Sequence, residues 1–229
     1  MLKSLLGLKE QAYCTEQVEA DQKIRQFCNT VKKMEQPPEK YYRLELWASG
    51  FTDALNELEQ SIFCCRTFGV HIHSHTEAAM EADEKTYYHR YLYFYKNAII
   101  RIFSILDKLG YFMNERYDLY TEKIKHRFSY YTVLRHMEKQ KRVKYLYQQL
   151  YAHKVANINT MKRLRNQRNI EIHYMNFDMI NDLIRSKQQP SIHNVVEDIE
   201  RDVSELHDAF KMTCAILIDV FSHASKDMR

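Results

Sequence analysis

Glycine and proline are scarce in this chain. Its 229 residues contain four glycines and three prolines, and because tight hairpin turns depend on glycine, an all-β fold is nearly excluded. The same scarcity counts against disorder, and the 45% of hydrophobic residues is typical of a globular protein. No apolar run reaches the roughly 18 residues that a membrane span needs. The first ten residues also lack the long apolar stretch and the small-residue cleavage site of a signal peptide, so we expect a cytoplasmic protein without membrane contact.

Cysteine is also sparse, and its pattern is not typical of disulfide frameworks or zinc ribbons. The five cysteines are odd in number and include no Cys-x-x-Cys spacing. Most of them lie in apolar helical patterns, so we expect them to be small core residues. They are Cys14, Cys28, Cys64, Cys65 and Cys214.

The histidines offer one alternative metal site. None of the 11 histidines has a glutamate three residues before it, which excludes the Glu-x-x-His pairs of ferritin-like di-iron bundles. His71, His73 and His75 alternate along the chain, and in an extended segment their imidazoles would share one side, as a Zn²⁺ site requires. A polar loop between two helices explains the same residues, so we assign no metal and no cofactor.

Long stretches of helical periodicity dominate the rest of the sequence. Apolar residues recur three and four positions apart, and glycine, proline and polar residues separate the stretches. The pattern predicts helices over residues 10–34, 40–68, 83–115, 119–138, 142–152 and 155–174, and a last helix from its expected N-cap Ser191 to about 224. We predict an all-α fold with the architecture of an antiparallel up-and-down helical bundle. Residues 1–38 are expected to add an N-terminal helix or extension to a bundle domain over residues 39–229, with a loop at 69–82.

Positive charge is concentrated in one part of the chain, although the net charge is only +4. Between Arg135 and Arg168, ten basic residues stand against one acid, which gives +9 in 34 positions and leaves −5 elsewhere. Tyr145, Tyr147 and Tyr151 are interleaved with these basic residues. This composition suits the phosphates and stacked bases of RNA. A solvated helix face is the alternative explanation for the same lysines and arginines.

An acidic segment lies near the C-terminal end. Residues 195–208 contain six acids and one arginine. We interpret this segment as a solvated helix face, with the alternative that it faces a basic surface across an interface.

A short motif lies within the basic stretch. Arg168 is followed after four residues by His173, and Asn169 stands directly after the arginine. This pattern resembles the R-x4–6-H motif of HEPN domains, which are small all-α bundles found in bacterial toxins and RNA-cleaving defence proteins. The segment Ser104–Gly110 is similar to the central helix of stand-alone bacterial HEPN-like proteins. The resemblance covers about residues 40–225.

Two other parts of the chain match the same spacing. Arg66 precedes His71 and His73 at the end of a predicted helix, and Arg201 precedes His207 in the acidic segment. The match in the basic stretch is preferred because an asparagine follows its arginine, its surroundings are basic and aromatic, and it lies just before the final helix.

The resemblance implies a metal-independent endoribonuclease that works as a homodimer on single-stranded or structured RNA. His173 would take the proton from the RNA 2′-hydroxyl or, on the other copy, protonate the leaving 5′-oxygen. Arg168 would hold the phosphate and Asn169 would orient the phosphate or the histidine. The product would be a 2′,3′-cyclic phosphate. The resemblance also implies a bacterial toxin–antitoxin or anti-phage defence setting, with an antitoxin or other regulatory protein as a partner.

Further residues of the basic stretch are predicted to bind the RNA. They are Arg142, Lys144, Tyr147, Lys162, Arg163, Arg165 and Asn166. Helical spacing places Asn166, Asn169 and His173 along one side, with Arg168 about 140° away from His173. The motif therefore closes over one phosphate only if the helix kinks or a second subunit completes the site.

Two rival functions remain open. One is a non-catalytic HEPN-like module that binds RNA or a nucleotide through the same basic surface. The other is a structural bundle whose aromatic helix 83–115 packs against another protein, because its apolar residues extend beyond a single face.

Overall fold

Helices make up nearly all of the regular structure. The computed structural model describes residues 14–123, 128–173, 196 and 198–226, without the side chains of residues 170, 172 and 173. These residues form seven α-helices and no strand, so the predicted all-α bundle is confirmed. The helices are α1 (Thr15–Lys32), α2 (Glu39–Gly69), α3 (Ala82–Arg116), α4 (Tyr130–Met137), α5 (Lys144–Ala156), α6 (Ile158–His173) and α7 (Ile199–Lys226).

The two longest helices form where the periodicity predicts them. Both α2 and α3 begin and end within one residue of the predicted 40–68 and 83–115. Their buried residues recur at helical spacing, and the two helices pack against each other over much of their length. Within the described part of the chain, no helix is both long and apolar enough to cross a membrane.

The predicted helix over 119–138 is wrong at its start, whereas α4 (Tyr130–Met137) confirms its last part. After α3 the chain passes through Asp118 and Tyr120, which both have a φ of 53°. A positive φ interrupts a right-handed helix, and for residues other than glycine it is energetically unfavourable. The helix starts again at α4, where the Ser129 hydroxyl caps the first turn by accepting a backbone N–H at 3.3 Å.

The last helix starts later than the sequence predicts. Asp198 precedes α7, and its carboxylate accepts the backbone N–H of Arg201 at 3.1 Å. This is the geometry of an N-cap. The predicted cap, Ser191, lies outside the described residues.

Four phenylalanines from four different helices form the centre of the core. Their ring centroids lie 4.9 to 6.4 Å apart, mostly edge to face, and each side chain is at most 2% exposed. They are Phe27 of α1, Phe51 of α2, Phe112 of α3 and Phe221 of α7. Because α1 contributes one of these rings and packs against α7 and α2, the N-terminal helix shares the core of the bundle.

The cysteines mostly occupy this core. Cys28, Cys64, Cys65 and Cys214 are buried and Cys14 is partly buried, which confirms the prediction of small core residues. Burial raises the pKa of the Cys65 thiol, so this group stays protonated and unreactive.

Two residues of the Ser104–Gly110 segment fix the junction between α3 and α4. Asp107 accepts the backbone N–H of Tyr130 at 3.0 Å. One turn further on, a Cβ at Gly110 would lie 3.1 Å from the Cα of Tyr130 and 3.2 Å from its nitrogen. The absence of a side chain at Gly110 therefore lets α4 approach α3 closely enough to bury the Tyr130 ring, which is 1% exposed.

Replacing Gly110 by alanine is expected to lower the free energy of unfolding by about 1–3 kcal/mol. The added methyl group meets backbone atoms, which cannot rotate away as a side chain can. Urea unfolding followed by far-UV circular dichroism measures the change.

The matched control is Gly50→Ala in the exposed middle of α2. No atom lies within 4 Å of a Cβ at Gly50, so alanine should raise the free energy of unfolding by about 0.5–1 kcal/mol through its higher helix propensity. Stabilisation of the same size in both variants would show that close approach of α3 and α4 is not what Gly110 provides.

Candidate functional site

The helix that carries the motif, α6, is attached to α3 along its inner side. The Tyr95 hydroxyl donates to the side-chain oxygen of Gln167 at 2.8 Å, and Lys96 forms an ion pair with Glu171 at 3.2 Å. Burial raises the pKa of Tyr95 strongly, so its hydroxyl remains a donor. These contacts fix the rotation of α6 about its own axis.

Arg168 faces α3 and contacts Asn169. Its guanidinium carbon lies 4.6 Å from the ring centroid of Phe103, and one terminal nitrogen donates to the Asn169 side-chain oxygen at 3.0 Å. The Nε atom of Arg168 is buried and has no hydrogen-bond partner within the described structure. The structure therefore brings together two of the three predicted catalytic residues.

His173 is the last residue of α6, and its side chain lies outside the described part of the chain. The helix continues from Ile158 to His173 as one α-helix. Its register keeps position 173 about 140° around the axis from Arg168. Of the two alternatives, this continuity favours completion of the site by a second subunit.

Arg163 is used inside the fold. Its Nη1 donates to Asp202 of α7 at 2.8 Å, and its Nε donates to Glu205. The Asp202 side chain is 1% exposed and also accepts from the Tyr91 hydroxyl at 3.3 Å. Burial alone would lower the pKa of Arg163, but the hydrogen bonds to Glu205 and Asp202 raise it overall. Arg163 is therefore held by the acids of α7 and is not available to bind RNA.

Three other predicted RNA-binding residues of α6 lie on its outer side or its flank. Lys162 and Asn166 are exposed. The Arg165 guanidinium lies over the ring of Tyr131 in α4, 4.4 Å from the centroid, and is half-buried. At this distance the cation–π contact orients Arg165 and leaves part of its edge to solvent.

The three remaining predicted RNA-binding residues lie at or near the start of α5. Arg142 and Lys144 are exposed. Tyr147 is half-buried, with its ring centroid 5.6 Å from that of Tyr151. Desolvation raises the pKa of Tyr147, and the negative charge of Glu138 raises it further. Helical spacing places Lys144, Tyr147 and Tyr151 along one side of α5.

Sequence reasoning missed the buried partners that hold α6. Asp202 belongs to the acidic segment 195–208, which is predicted to be a solvated helix face, but its side chain is 1% exposed. Its partner Arg163 precedes it by 39 residues. One usable signal was the spacing of Asp202 and Glu205, which places both carboxylates on the same side of a helix.

The two other parts of the chain with the R-x4–6-H spacing lie in a different region of the fold. Arg66 and His73 line a cleft of about 700 Å³ between α2 and α7, and His207 lines it from α7. The His71 ring stacks on Tyr87 with centroids 4.3 Å apart. Among the described residues, no group of three His, Cys, Asp or Glu side chains is arranged to hold a metal ion.

The neighbouring loop is fixed by a carboxylate. Glu84 accepts the backbone N–H groups of His73 and Ser74, each at 2.6 Å. These hydrogen bonds lower the pKa of Glu84. The polar loop between two helices that was predicted for 69–82 is therefore confirmed for this stretch, together with a short 3₁₀ turn at Glu77–Ala79.

Replacing Arg163 by methionine is expected to lower the free energy of unfolding by about 3 kcal/mol. The variant leaves the buried Asp202 carboxylate without its cation, which is far more costly than losing a surface pair. Chemical denaturation measures the difference.

Arg201→Met is the matched control, because Arg201 pairs with the same Glu205 from a side chain that is 59% exposed. Its effect should stay within about 0.5 kcal/mol. If both variants lose the same small amount, Arg163 does not anchor α6.

A comparison with known families agrees with this architecture. The family model HEPN_Cthe2314-like HEPN matches residues 47–225, from within α2 almost to the end of α7. No curated protein and no solved structure matches the chain. The relationship expected over about 40–225 is thus confirmed over most of its length. The chain belongs to the HEPN_Cthe2314-like HEPN family of the HEPN superfamily.

Proposed function

We propose that this protein is a metal-independent endoribonuclease of the HEPN type. HEPN domains are frequently ribonucleases, and they typically act on RNA and dimerise, which supports this class of activity. The observation that carries the proposal is the position of the motif. Arg168, Asn169 and His173 share one helix, and the chain contains no acid between Lys139 and Ile170. Inside the motif, the carboxylate of Glu171 is paired with Lys96 at 3.2 Å, so the basic stretch that precedes it favours the approach of a polyanionic substrate.

The reaction needs one base and one acid. His173 of one copy takes the proton of the RNA 2′-hydroxyl, and the 2′-oxygen attacks the adjacent phosphorus. The bond to the 5′-oxygen breaks, and His173 of a second copy gives that oxygen a proton. Imidazole has a reference pKa near 6.5, so it serves both tasks. The products are a 2′,3′-cyclic phosphate and a free 5′-hydroxyl, and each proton is accounted for.

Arg168 stabilises the charge that builds up on the phosphate. Its buried Nε lacks an acceptor, and a phosphate oxygen is an acceptor that an arginine binds well. In this proposal the side chain turns from the Phe103 ring towards the substrate and releases its hydrogen bond to Asn169, so that Asn169 orients the phosphate or His173.

The proposed setting is cytoplasmic. As in the family's toxins and defence proteins, a bacterial toxin–antitoxin or anti-phage system would supply the RNA target, and a regulatory protein would restrain the activity. The homodimer is part of the proposal, because one continuous α6 separates Arg168 from position 173.

A second candidate function is a non-catalytic module that binds RNA or a nucleotide. The specific observation in its favour is the inward position of Arg168, stacked on Phe103. In this case the motif contributes to the fold, while the exposed lysines and arginines bind the phosphates.

Purified protein incubated with single-stranded RNA in EDTA is expected to cleave it and leave 2′,3′-cyclic phosphate ends. His173→Ala should lower the cleavage rate by roughly 10²- to 10⁴-fold, the contribution typical of general acid–base catalysis. RNA binding and helix content should be retained. Gel electrophoresis of the products and mass spectrometry of their ends provide the measurement.

His207→Ala is the control, because His207 is exposed on α7 and belongs to a rival spacing match. Its cleavage rate should equal that of the wild type. Loss of activity in His207→Ala with normal activity in His173→Ala would place the site elsewhere, and binding without any cleavage would favour the non-catalytic module.

A further inference from the structure

One side of α3 carries large hydrophobic side chains that remain exposed. Tyr93, Ile100 and Tyr111 are 65%, 40% and 53% exposed. At 100° per residue, their directions around the helix axis agree within about 20°. The Phe128 ring stacks on Tyr111 with centroids 4.0 Å apart and still leaves this tyrosine more than half exposed. Single exposed apolar residues are common, but a stripe of them along one helix face, about 27 Å long, indicates an interaction surface.

The residues of this stripe are arranged symmetrically about the level of Ile102. Tyr93 and Tyr111 each lie nine positions from it, and the order is therefore the same in both directions. Ile100 and Ser104, which lie on the same face, are each two positions from it. When a second copy of α3 lies antiparallel on the stripe, each tyrosine faces a tyrosine and each Ile100 faces the smaller Ser104, as close packing requires. A surface with this order is self-complementary about a two-fold axis.

The charges on one flank of the stripe are complementary in the same arrangement. Lys96 and Asp107 lie on this flank, and the antiparallel register places Lys96 of one copy beside Asp107 of the other, in two equivalent pairs. Lys96 also pairs with Glu171 of its own chain at 3.2 Å, and one oxygen of Asp107 accepts the backbone N–H of Tyr130 at 3.0 Å. Both side chains are therefore already positioned before a second copy binds.

The opposite flank brings two like charges near each other, but they are neutralised. The two copies of Arg101 lie beside the two-fold axis on this flank, and each forms an ion pair with Glu57 of α2 in its own chain. The exposed Lys108 falls beside Asn97 of the other copy. Neither flank therefore opposes the antiparallel arrangement through an unpaired charge.

The same arrangement places both motif helices on one side of the dimer. In each copy α6 contacts the flank of α3 that carries Lys96 and Phe103, because Glu171 pairs with the lysine and the Arg168 guanidinium lies 4.6 Å from the Phe103 centroid. A two-fold axis perpendicular to α3 keeps this flank on the same side in both copies. Phe103 is only one residue from the level of the axis, so the two Arg168 side chains lie beside the axis on that side.

We propose that two copies of this chain pair through the exposed stripe of α3, with the helices antiparallel and the two-fold axis at the level of Ile102. This inference rests on the proposed ribonuclease function and specifies the surface through which the second copy completes its site. An unrelated protein is the competing occupant of the stripe. The symmetric order of the residues and the reciprocal Lys96 and Asp107 charges favour a second copy, since an unrelated partner requires neither.

Replacing Ile100 by glutamate is expected to raise the dimer dissociation constant by roughly 10- to 100-fold. The two introduced carboxylates would lie near the axis, in the apolar centre of the interface, where they repel each other and lose water. Mass photometry and sedimentation velocity without RNA measure the dimer fraction. The matched control is Val155→Glu, because Val155 is 50% exposed on α5, which packs against α4 and α7, and its dimer fraction should equal that of the wild type.

Two single cysteine variants test the register. In a mixture of Ile100→Cys and Ser104→Cys chains, the two new cysteines face each other across the interface. With helix axes about 8–10 Å apart and Cα atoms about 2.3 Å from each axis, facing Cα atoms lie roughly 4–6 Å apart, as a disulfide requires. Oxidised glutathione should therefore give a covalent dimer on a non-reducing gel, several-fold more in the mixture than in either variant alone. The wild type, which contains the partly buried Cys14, shows the background.

The inference fails if the wild type is monomeric, which would leave the stripe to an unrelated partner. It also fails if Ile100→Glu dimerises like the wild type, if Val155→Glu dissociates to the same extent, or if the cysteine mixture cross-links no better than each variant alone. Melting temperatures within a few degrees of the wild type show that the variants are folded.

The cleavage assay separates this inference from the proposed function. A wild-type dimer that cleaves no RNA removes only the nuclease. Monomeric Ile100→Glu that cleaves at the full rate per chain removes the site shared by two copies and leaves the interface. Ile100→Glu that stays dimeric and cleaves normally removes only this inference.

Discussion

The attachment of α6 to α3 and α7 determines which side chains of the motif helix reach solvent. Gln167 and Glu171 are held by α3, and Arg163 is held by the buried Asp202 of α7. A helix turns about 100° per residue, so fixing these three positions fixes all the others. Lys162 and Asn166 must then point outward. A rotation of α6 by about 100°, the step of one residue, would bury the surface on which the proposed function depends.

The attachment of α6 to α7 also separates the buried charges of the bundle from the exposed basic residues. The acids of α7 neutralise Arg163 inside the bundle, so this arginine adds nothing to the surface. The basic residues of α5 and the outer side of α6 stay in water, with no acid in the sequence between Lys139 and Ile170. The net charge of +4 therefore understates the positive potential that RNA meets at this surface.

The sequence predicts the fold better than it predicts the site. The periodicity of α2 and α3 gives their ends to within one residue, because buried apolar side chains decide where long helices lie. The break before α4 includes positive φ at Asp118 and Tyr120, and the spacing of apolar residues carries no signal for such a backbone conformation. Adjacent Lys162 and Arg163 look alike in sequence, and only the position of α7 shows that Arg163 faces inward.

The central claim is that two copies of the chain complete one ribonuclease site. The most direct measurement is cleavage activity per chain over a dilution series, with the dimer fraction of each sample determined by mass photometry. The account predicts that activity per chain falls in proportion to the dimer fraction. Monomers that retain the full activity per chain would contradict it.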